Sequence, residues 1–392
     1  MLIETLTVRN YRALQNISLT QLPRLCVFVG ANGTGKTTLF DVFSFLKDAL
    51  LHNVRQALAR RGGFREVRSR GQTGPIEIEI KFRTEHDGPL VTYQLCIGDE
   101  TGPPSVSREV LKYRRGQRGK PWHFLDFEHG RGYAITNEGD YDKPNAAIAR
   151  EEQQLDSPDI LAIKGLGQFQ RFPVVTAFRR LLENWHVSDF HINDARPSQE
   201  AGYAEHLSRV GDNLPLVAQF MYENHRREFD TILGKMKHRV PGIQDVQAAE
   251  TEDGRIVLKF QDGSFRDPFI ARYVSDGTIK MFAYLLLLHD PQPHPLLAVE
   301  EPENQLYPEL LEELAEEFRE YAERGGQVFV STHSPDFLNG ISLEEIFILT
   351  KEQGFTQVMR ASDNEILRNL VAEGDKPGAL WKQRLFQRDL FP

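Results

Sequence analysis

Along most of the chain, the pattern of apolar and polar positions predicts an alternation of strands and helices. Residues 2–8 alternate as a half-buried strand does, and the apolar run at 25–29 is typical of a buried strand. Residues 39–61 carry apolar side chains at helical spacing, beginning with Leu39 and Val42. A glycine-rich loop separates the apolar run from this helix, so the order is buried strand, loop and helix.

Three further regions differ in their pattern. From about 76 to 136, short alternating strands are separated by polar turns, which indicates an antiparallel β region. Residues 157–240 are mainly helical, and after them strands and helices alternate in a way that predicts a parallel sheet with crossover connections. No sustained heptad pattern is present, which excludes a long coiled-coil arm. We expect an N-terminal half over 1–156, a helical lobe over 157–240, a C-terminal half over 241–364 and a polar, Trp-bearing tail of unassigned role over 365–392.

Composition is ordinary for a soluble globular protein. Of the 392 residues, 40% are hydrophobic and 26% are charged, and no apolar run approaches the roughly 20 residues of a membrane span. The start lacks a basic-then-apolar export signal, and the two cysteines, Cys26 and Cys96, suit a reducing compartment, so we expect a cytoplasmic protein. With a net charge of −9, any nucleic-acid surface would be a local patch.

Residues 30–38 read GANGTGKTT and match the pattern G-x-x-x-x-G-K-[ST], which holds nucleotide phosphates. Its glycines let backbone N–H groups point at phosphate oxygens, and the following helix adds its N-terminal dipole. Lys36 would reach the β- and γ-phosphates of ATP, and the Thr37 hydroxyl would ligate Mg²⁺. The alternative is an incidental glycine turn, which the strand before it and the helix after it disfavour. The predicted ATP-binding residues of the loop are Gly30, Asn32, Gly33, Thr34, Gly35, Lys36, Thr37 and Thr38.

Two adjacent glutamates end the apolar run 296–299, and Pro302 and a third acid, Glu303, follow them. Adjacent carboxylates repel each other and are costly to desolvate, so a cation is expected nearby. In a protein with a phosphate loop, a carboxylate at the end of a neighbouring strand faces Mg²⁺, and the next one polarises the attacking water. We therefore predict that Glu300 is the metal-side residue and Glu301 the general base. The alternative is a strand end that leads into an exposed acidic loop.

Two later motifs extend this prediction. Ser275, Asp276 and Gly277 stand at the start of an apolar helix, where SDG alone would be an N-cap with a structural role. A helix N-terminus also binds anions, and a second anion site makes sense if it serves the nucleotide of another copy of the chain. His333 follows the buried strand of QVFVSTHSP, where it could contact a γ-phosphate, although a lone histidine is more often structural.

The ordered set GANGTGKT, VSDGT, LLAVEEPENQLYP and STHSP resembles the ABC-type ATPases of the RecF/SMC/OLD-like group, and above all their stand-alone AAA_21 (RecF-like) members. VRNYRAL and LARRGGFREVRSRG resemble the same members, so the resemblance covers most of the chain. It implies a P-loop ABC-type ATPase head of the α/β class, with a mixed sheet, an antiparallel β subdomain, a helical lobe and no long coiled coil. Two heads would form a homodimer that clamps two ATP molecules, each between one phosphate loop and the partner's Ser275–Gly277 signature.

The resemblance also implies further site residues, and the sequence departs from the family pattern in three ways. Gln72 looks like the glutamine near Mg²⁺ and the attacking water, and Arg12 like a nucleotide contact. Glu300 stands where many relatives have Asp, and Tyr307 replaces a common His. No acidic cluster like that of the nuclease domain in OLD proteins follows THSP, so we do not expect this chain to cleave DNA strands by itself.

An arginine-rich stretch at 55–70 has two interpretations, contacts with the DNA phosphate backbone or a solvated helix end that favours cations. We predict an ATP-gated machine that acts on DNA in repair, genome maintenance or phage defence, with a separately encoded nuclease as partner. The alternatives are a regulatory ATP switch that controls a protein partner without touching DNA and, with a poorer fit, a transporter subunit. The six arginines are Arg55, Arg60, Arg61, Arg65, Arg68 and Arg70.

Overall fold

A computed structural model of the chain describes residues 1–85, 88–99, 102–113, 122–136, 138, 150–190 and 192–386. The chain divides into two compact units. The first unit contains residues 1–185 and 343–368, together with Phe386, and the second contains residues 186–342 and 369–385. Residues 387–392, the end of the predicted tail, lie outside the described residues.

The described elements follow the predicted alternation of strands and helices. The strands are β1 (Leu2–Tyr11), β2 (Leu14–Thr20), β3 (Leu25–Val29), β4 (Ile76–Arg83), β5 (Val91–Gly98), β6 (Ser105–Tyr113), β7 (Trp122–Glu128), β8 (Arg131–Ile135), β9 (Arg150–Gln154), β10 (His186–Ser188), β11 (Gln199–Glu200), β12 (Ile243–Glu250), β13 (Arg255–Asp262), β14 (Phe269–Ile270), β15 (Leu296–Glu300), β16 (Gln327–Thr332), β17 (Ile346–Glu352) and β18 (Phe355–Arg360). The helices are α1 (Lys36–Leu51), α2 (Val54–Ala59), α3 (Phe64–Val67), α4 (Ala162–Leu166), α5 (Pro173–Glu183), α6 (Ile192–Ala195), α7 (Leu214–Asn224), α8 (Arg226–Arg239), α9 (Asp276–Leu288), α10 (Leu311–Glu323), α11 (Pro335–Leu338), α12 (Glu365–Ala372) and α13 (Pro377–Lys382).

The first unit contains an antiparallel sheet with the strand order β2-β1-β4-β5-β6-β7-β8-β9. In β4 and β5 every second residue is buried, as expected of strands with one face against a core. Ile76, Ile78, Ile80 and Phe82 form the buried face of β4. The antiparallel β region predicted from 76 to 136 is therefore confirmed.

The first unit also contains β3, all five of whose residues are buried. β3 pairs in parallel with β17, and β17 pairs antiparallel with β18, which gives the mixed pairing that the resemblance implied. The single helix predicted over 39–61 forms two helices, α1 and α2, because α1 ends at Leu51. The side chain of Asn53 accepts a hydrogen bond from the Gln56 N–H at 2.8 Å and begins α2 as its N-cap.

A buried glutamate in the first unit serves as a distant helix cap. Glu109 of β6 accepts hydrogen bonds from the backbone N–H groups of Ala162 and Ile163, the first residues of α4. The hydroxyl of Tyr93 donates to the same carboxyl group at 3.2 Å. Burial raises the pKa of Glu109 to about 7, although these three hydrogen bonds oppose the rise.

The second unit contains the parallel strands β10, β15 and β16 in that order, and a separate antiparallel group of β11, β13 and β12 with β14 on β13. α10 connects β15 to β16, so the predicted crossover is confirmed. Every residue of α9 from Thr278 to Leu288 is buried, which explains why nearly all of them are apolar. Within the described parts of the chain, no helix has the length and apolar character needed to cross a membrane.

Candidate functional site

The loop after β3 has the backbone conformation that its glycine pattern predicts. Gly33 and Gly35 have φ angles of 78° and 103°, in the left-handed region that glycine adopts without strain. The ammonium group of Lys36, the first residue of α1, donates to the carbonyl oxygens of Gly30 at 2.7 Å and Ala31 at 3.2 Å. The loop therefore closes around the lysine of its own motif.

The other predicted residues of this loop differ in exposure. Asn32 and Thr37 are exposed, and Thr38 is half-buried in the first turn of α1. Thr34 is buried, and its hydroxyl donates to the Ala31 carbonyl oxygen at 2.9 Å. Thr34 thus stabilises the turn, whereas Thr37 occupies an exposed position at the start of the helix, which suits a ligand of Mg²⁺.

A threonine on β18 holds the loop in place. The hydroxyl of Thr356 donates to the Thr34 carbonyl oxygen at 2.7 Å. A Cβ atom added at Gly35 would collide with this hydroxyl, and one added at Gly30 would collide with the carbonyl oxygen of Leu349. Close packing against β17 and β18 is therefore a second reason for glycine at these two positions.

Arg12 and Gln72 also lie in the first unit. The Arg12 backbone N–H donates to the Val67 carbonyl oxygen at 2.7 Å, and its guanidinium lies 3.0 Å from the carboxylate of Asp41 on α1. Gln72 is half-buried in the turn before β4, where its N–H donates to the Ser69 carbonyl oxygen at 3.1 Å. A nucleotide contact by Arg12 and a Mg²⁺ contact by Gln72 stay predictions.

In the second unit, the two predicted glutamates lie at the carboxyl end of β15. Glu300 is the last residue of the strand and pairs in register with Ser331 of β16. Glu301 has a φ angle of 44°, which is uncommon for a residue with a side chain. Its N–H donates to the Ser331 carbonyl oxygen at 2.9 Å. A strained backbone that a neighbouring strand holds in place is typical of functional positions.

His333 follows β16 directly, so the parallel pairing brings it to the same sheet edge as Glu301. Its Nε2 atom lies 3.4 Å from Oε1 of Glu301. Asn304 donates from Nδ2 to the other carboxylate oxygen of Glu301 at 2.9 Å. The His333 N–H donates to Oε1 of Glu303 at 2.6 Å. The structure therefore brings Glu301 and His333 together, and Glu303, whose role was not predicted, holds the histidine backbone.

A buried lysine lies near these acids, and sequence reasoning missed it. Lys280 of α9 is 4% exposed, and burial lowers its pKa to about 8 although Glu303, Asp189 and Glu301 raise it. The sequence did contain a signal, because DGTIKMFAYLLLL has one lysine among apolar residues. A buried charged residue of this kind needs a partner of opposite charge. Lys280 thus places a cationic group within electrostatic range of Glu303, Asp189 and Glu301.

The SDG motif forms the start of α9. The Ser275 hydroxyl accepts a hydrogen bond from the Thr278 N–H at 3.3 Å, as an N-cap does. A Cβ atom added at Gly277 would lie 2.8 Å from the Gln305 carbonyl oxygen, and the Gln305 side chain donates to Asp276 at 3.4 Å. The motif is thus packed against the acidic loop after β15. Its contact with the nucleotide of a second copy stays a prediction.

Comparison with known protein families decides the membership of the chain. Residues 25–339 match the family AAA_21, described as "AAA domain, putative AbiEii toxin, Type IV TA system". The chain belongs to the AAA_21 family. The resemblance of this AAA_21 chain to the ABC-type ATPases of the RecF/SMC group is therefore confirmed.

Individual relatives of this AAA_21 chain are distant. A protein named "DNA replication and repair protein RecF" from Listeria innocua is 28% identical over 143 residues, 33% of this chain and 38% of that protein. The match therefore spans well under half of the relative. The SMC head bound to the C-winged helix domain of ScpA has a TM-score of 0.53 at 14% identity, over 92% of this chain and 98% of its own. That likeness shows the fold of an SMC head. An SMC head domain from Thermotoga maritima has a TM-score of 0.47 at 12% identity, over 92% of this chain and 99% of its own.

The C-terminal segment of this AAA_21 chain contacts the loop that carries the histidine. Trp381 of α13 donates from Nε1 to the His333 carbonyl oxygen at 3.2 Å. The Gly378 N–H donates to the side-chain oxygen of Asn339 at 3.0 Å. A Cβ atom at Gly378 would collide with the Pro335 carbonyl oxygen, so glycine is required for this approach. These contacts give the predicted tail a structural role that its polar sequence did not reveal.

The arginine-rich stretch of this AAA_21 chain is largely occupied by internal ion pairs. Arg61, with a side chain only 9% exposed, pairs with Asp41 and Asp48 at 2.8 Å each. Such a buried guanidinium is a structural residue of the first unit. The further ion pairs are Arg55–Asp159, Arg60–Asp48, Arg68–Asp99 and Arg70–Glu66. These pairs compete with phosphate contacts, and a DNA-binding role of the stretch stays a prediction.

Proposed function

We propose that the chain binds ATP with Mg²⁺ and hydrolyses it. The observation that carries this proposal is the Glu301–His333 pair, 3.4 Å apart at the end of two adjacent parallel strands in a member of an ATPase family. A carboxylate beside a histidine can take the proton of an attacking water. In this proposal Glu301 is the general base and His333 contacts the γ-phosphate, while the loop from Gly30 to Thr38 holds the phosphates.

The residues fit a Mg²⁺ ion by their chemistry, because hydroxyl, carboxylate and amide oxygens are the ligands it prefers. In the first unit, the proposed ligands are the exposed Thr37 hydroxyl and the side chain of Gln72. In the second unit, Glu300 is the proposed metal-side carboxylate. The ion would supply positive charge to the phosphate oxygens during transfer.

The proposal includes an ATP-dependent homodimer in which Ser275 and Gly277 contact the nucleotide of the second copy. Two aromatic side chains near the signature support it. Tyr273, two residues before Ser275, is 72% exposed, and Tyr307 is 63% exposed. Exposed aromatic residues are enriched at protein–protein interfaces.

DNA is the proposed target, in repair, genome maintenance or phage defence, with a separate nuclease as a partner. The support is the name of the Listeria relative, "DNA replication and repair protein RecF". The match covers 38% of that protein. The second candidate is an ATP switch that controls a protein partner. The ion-paired arginines favour it, because internal pairs leave Arg61 and its neighbours less free to contact phosphates.

The purified chain tests the proposal directly through ATP binding and hydrolysis in Mg²⁺. Lys36→Ala should abolish ATP binding, because it removes the charge that offsets the β- and γ-phosphates. Lys81→Ala, a change on β4 outside the loop, is the matched control and should bind ATP like the wild type. Unchanged ATP affinity in Lys36→Ala would contradict the assignment of the phosphate loop.

The effect of DNA on the ATPase rate separates the two candidate functions. Addition of double-stranded DNA should stimulate hydrolysis by the wild type, and the stimulation should weaken as salt is raised. An ATPase rate that does not change on addition of DNA, over a range of DNA lengths and ionic strengths, would favour the switch that controls a protein partner.

A further inference from the structure

We propose that His206, Asp290 and His294 in the second unit form a binding site for Zn²⁺ or a similar divalent transition-metal ion. The three residues lie outside the proposed ATPase residues. Their ligand atoms all lie within 4.8 Å of one another. Among the described residues, this is the group of histidine, cysteine and acidic side chains whose positions suit a shared ion.

The chain brings these side chains together from two connecting segments. Asp290 and His294 lie in the short connection between the end of α9 and the start of β15. His206 comes from the loop between β11 and α7. The start of β15 is the opposite end of the strand from Glu300, so this site is separate from the carboxylate pair proposed for hydrolysis.

Hydrogen bonds fix the backbone on both sides of the group. The His294 N–H donates to the Tyr321 hydroxyl at 2.7 Å. The His206 carbonyl oxygen accepts from the Asn213 side chain at 2.9 Å. His186 of β10 stacks on the ring of His294, with centroids 4.5 Å apart and planes at 9°. Ligand residues held in place before binding reduce the entropy cost of metal capture.

Asp290 is the centre of the group. It is 6% exposed, one carboxylate oxygen accepts the Gln292 N–H at 2.8 Å, and the other lies 2.6 Å from Nδ1 of His206. The His294 ring lies with its centroid 5.1 Å from that of His206, at an angle of 53°. A buried carboxylate with two imidazoles directed around it therefore combines one negative charge with two nitrogen donors.

This donor set selects the class of ion. Imidazole nitrogen suits Zn²⁺ and its neighbours in the transition series, whereas Mg²⁺ and Ca²⁺ prefer sites built from oxygen. Two histidines and one carboxylate are a frequent zinc ligand set. The ion would join the connection between α9 and β15 to the loop of His206, and thereby stabilise the second unit.

The test is Zn²⁺ binding to the full chain, purified with a tag free of histidine and assayed in excess Mg²⁺ without nucleotide. We expect about one Zn²⁺ per chain by elemental analysis and titration, and a rise in the melting temperature that a chelator reverses. Co²⁺ in the same site should give the visible absorption of a nitrogen-ligated ion. His206→Asn and His294→Asn should each weaken Zn²⁺ binding by more than tenfold, since even indirect ligand partners contribute about 10- to 100-fold.

His238→Asn, an exposed change on α8 of the same unit, is the matched control and should bind Zn²⁺ like the wild type. If His294→Asn does not fold, His206→Asn answers the question, because its side chain is 37% exposed and tolerates truncation better. Zn²⁺ binding that is absent from the wild type, or equal in the wild type and both ligand variants, would overturn the site. ATP binding by the same variants should be normal, so the outcome is independent of the proposed ATPase.

Discussion

The indole N–H of Trp381 donates a hydrogen bond to the main-chain carbonyl oxygen of His333, at 3.2 Å. The bond joins the C-terminal helix α13 to the loop whose histidine lies beside Glu301. On the other side of that loop, Glu303 accepts the His333 N–H at 2.6 Å. The histidine backbone is thus held at both its N–H and its carbonyl group, which leaves its side chain in a defined position.

Trp381 should therefore act as a positioning residue. Trp381→Phe keeps an aromatic ring in place but removes the donor, so kcat for ATP hydrolysis should fall about two- to tenfold, the worth of one hydrogen bond. The KM for ATP should change little, because the phosphate loop is unaltered. Steady-state kinetics measure both values, and Lys382→Ala on the same helix is the control. A raised KM with an unchanged kcat would contradict this role.

Glu109 makes stability depend on pH. Its folded-state pKa of about 7 lies above the ordinary value of 4.5, so between these values the folded chain binds more protons than the unfolded chain. The stabilising contribution of this residue should decrease as pH rises from about 4.5 to about 7, by at most about 1.4 kcal/mol per pH unit. Glu109→Gln has no proton to lose, so its free energy of unfolding should fall less steeply over this range. Equal slopes in urea titrations of the two proteins would contradict the raised pKa.

Variants of Ser275 test whether the signature contacts the nucleotide of a second copy of the chain. If it contacts the nucleotide of the partner protomer, Ser275→Arg should fill that anion site and stop hydrolysis while ATP affinity survives. Ser275→Thr, which keeps the capping hydroxyl, is the control for the structural role of the N-cap. Normal hydrolysis by Ser275→Arg would mean that SDG is a helix cap alone, and the two-headed clamp would have to be abandoned.

Mixing two inactive variants sharpens that test. Each proposed site joins the phosphate loop of one protomer to the signature of the other. A dimer of Ser275→Arg with Lys36→Ala therefore contains one site with both parts intact and one site with both parts defective. With free exchange half of the dimers are mixed, so activity should recover to about a quarter of the wild type if the sites act independently. Recovery measured against each variant alone would show that the two residues work across an interface.

The order of elements and the chemical motifs could be predicted from the sequence because they depend on local pattern. The run of β3 predicts a buried strand, the glycines predict a tight loop, and the placement of Glu300 at the end of β15 follows from four apolar residues. The break between α1 and α2 was missed, because the cap formed by Asn53 is a short-range signal inside a continuous apolar pattern.

Long-range contacts could not be predicted in the same way. Thr356 donates a hydrogen bond to Thr34, 322 residues earlier in the chain, and the short strand β18 that carries it has no motif. Likewise, folding alone brings the Lys280 ammonium group within electrostatic range of Glu301 and Glu303, and the Trp381 indole to the His333 carbonyl oxygen. The ion pairs of Arg61 depend on Asp41 and Asp48, whose positions on α1 carry no motif.

Glu301→Gln tests the proposed ATP hydrolysis most directly. The amide cannot accept the proton of the attacking water, so ATP binding should be normal while kcat falls by about 10²- to 10⁴-fold. An ATP-bound dimer should then accumulate on size-exclusion chromatography. Glu300→Gln serves as the matched variant. If Glu300→Gln trapped the dimer and Glu301→Gln did not, the proposed roles of metal-side residue and general base would have to be exchanged. Hydrolysis at the wild-type rate by Glu301→Gln would contradict the proposed role of this carboxylate as the general base.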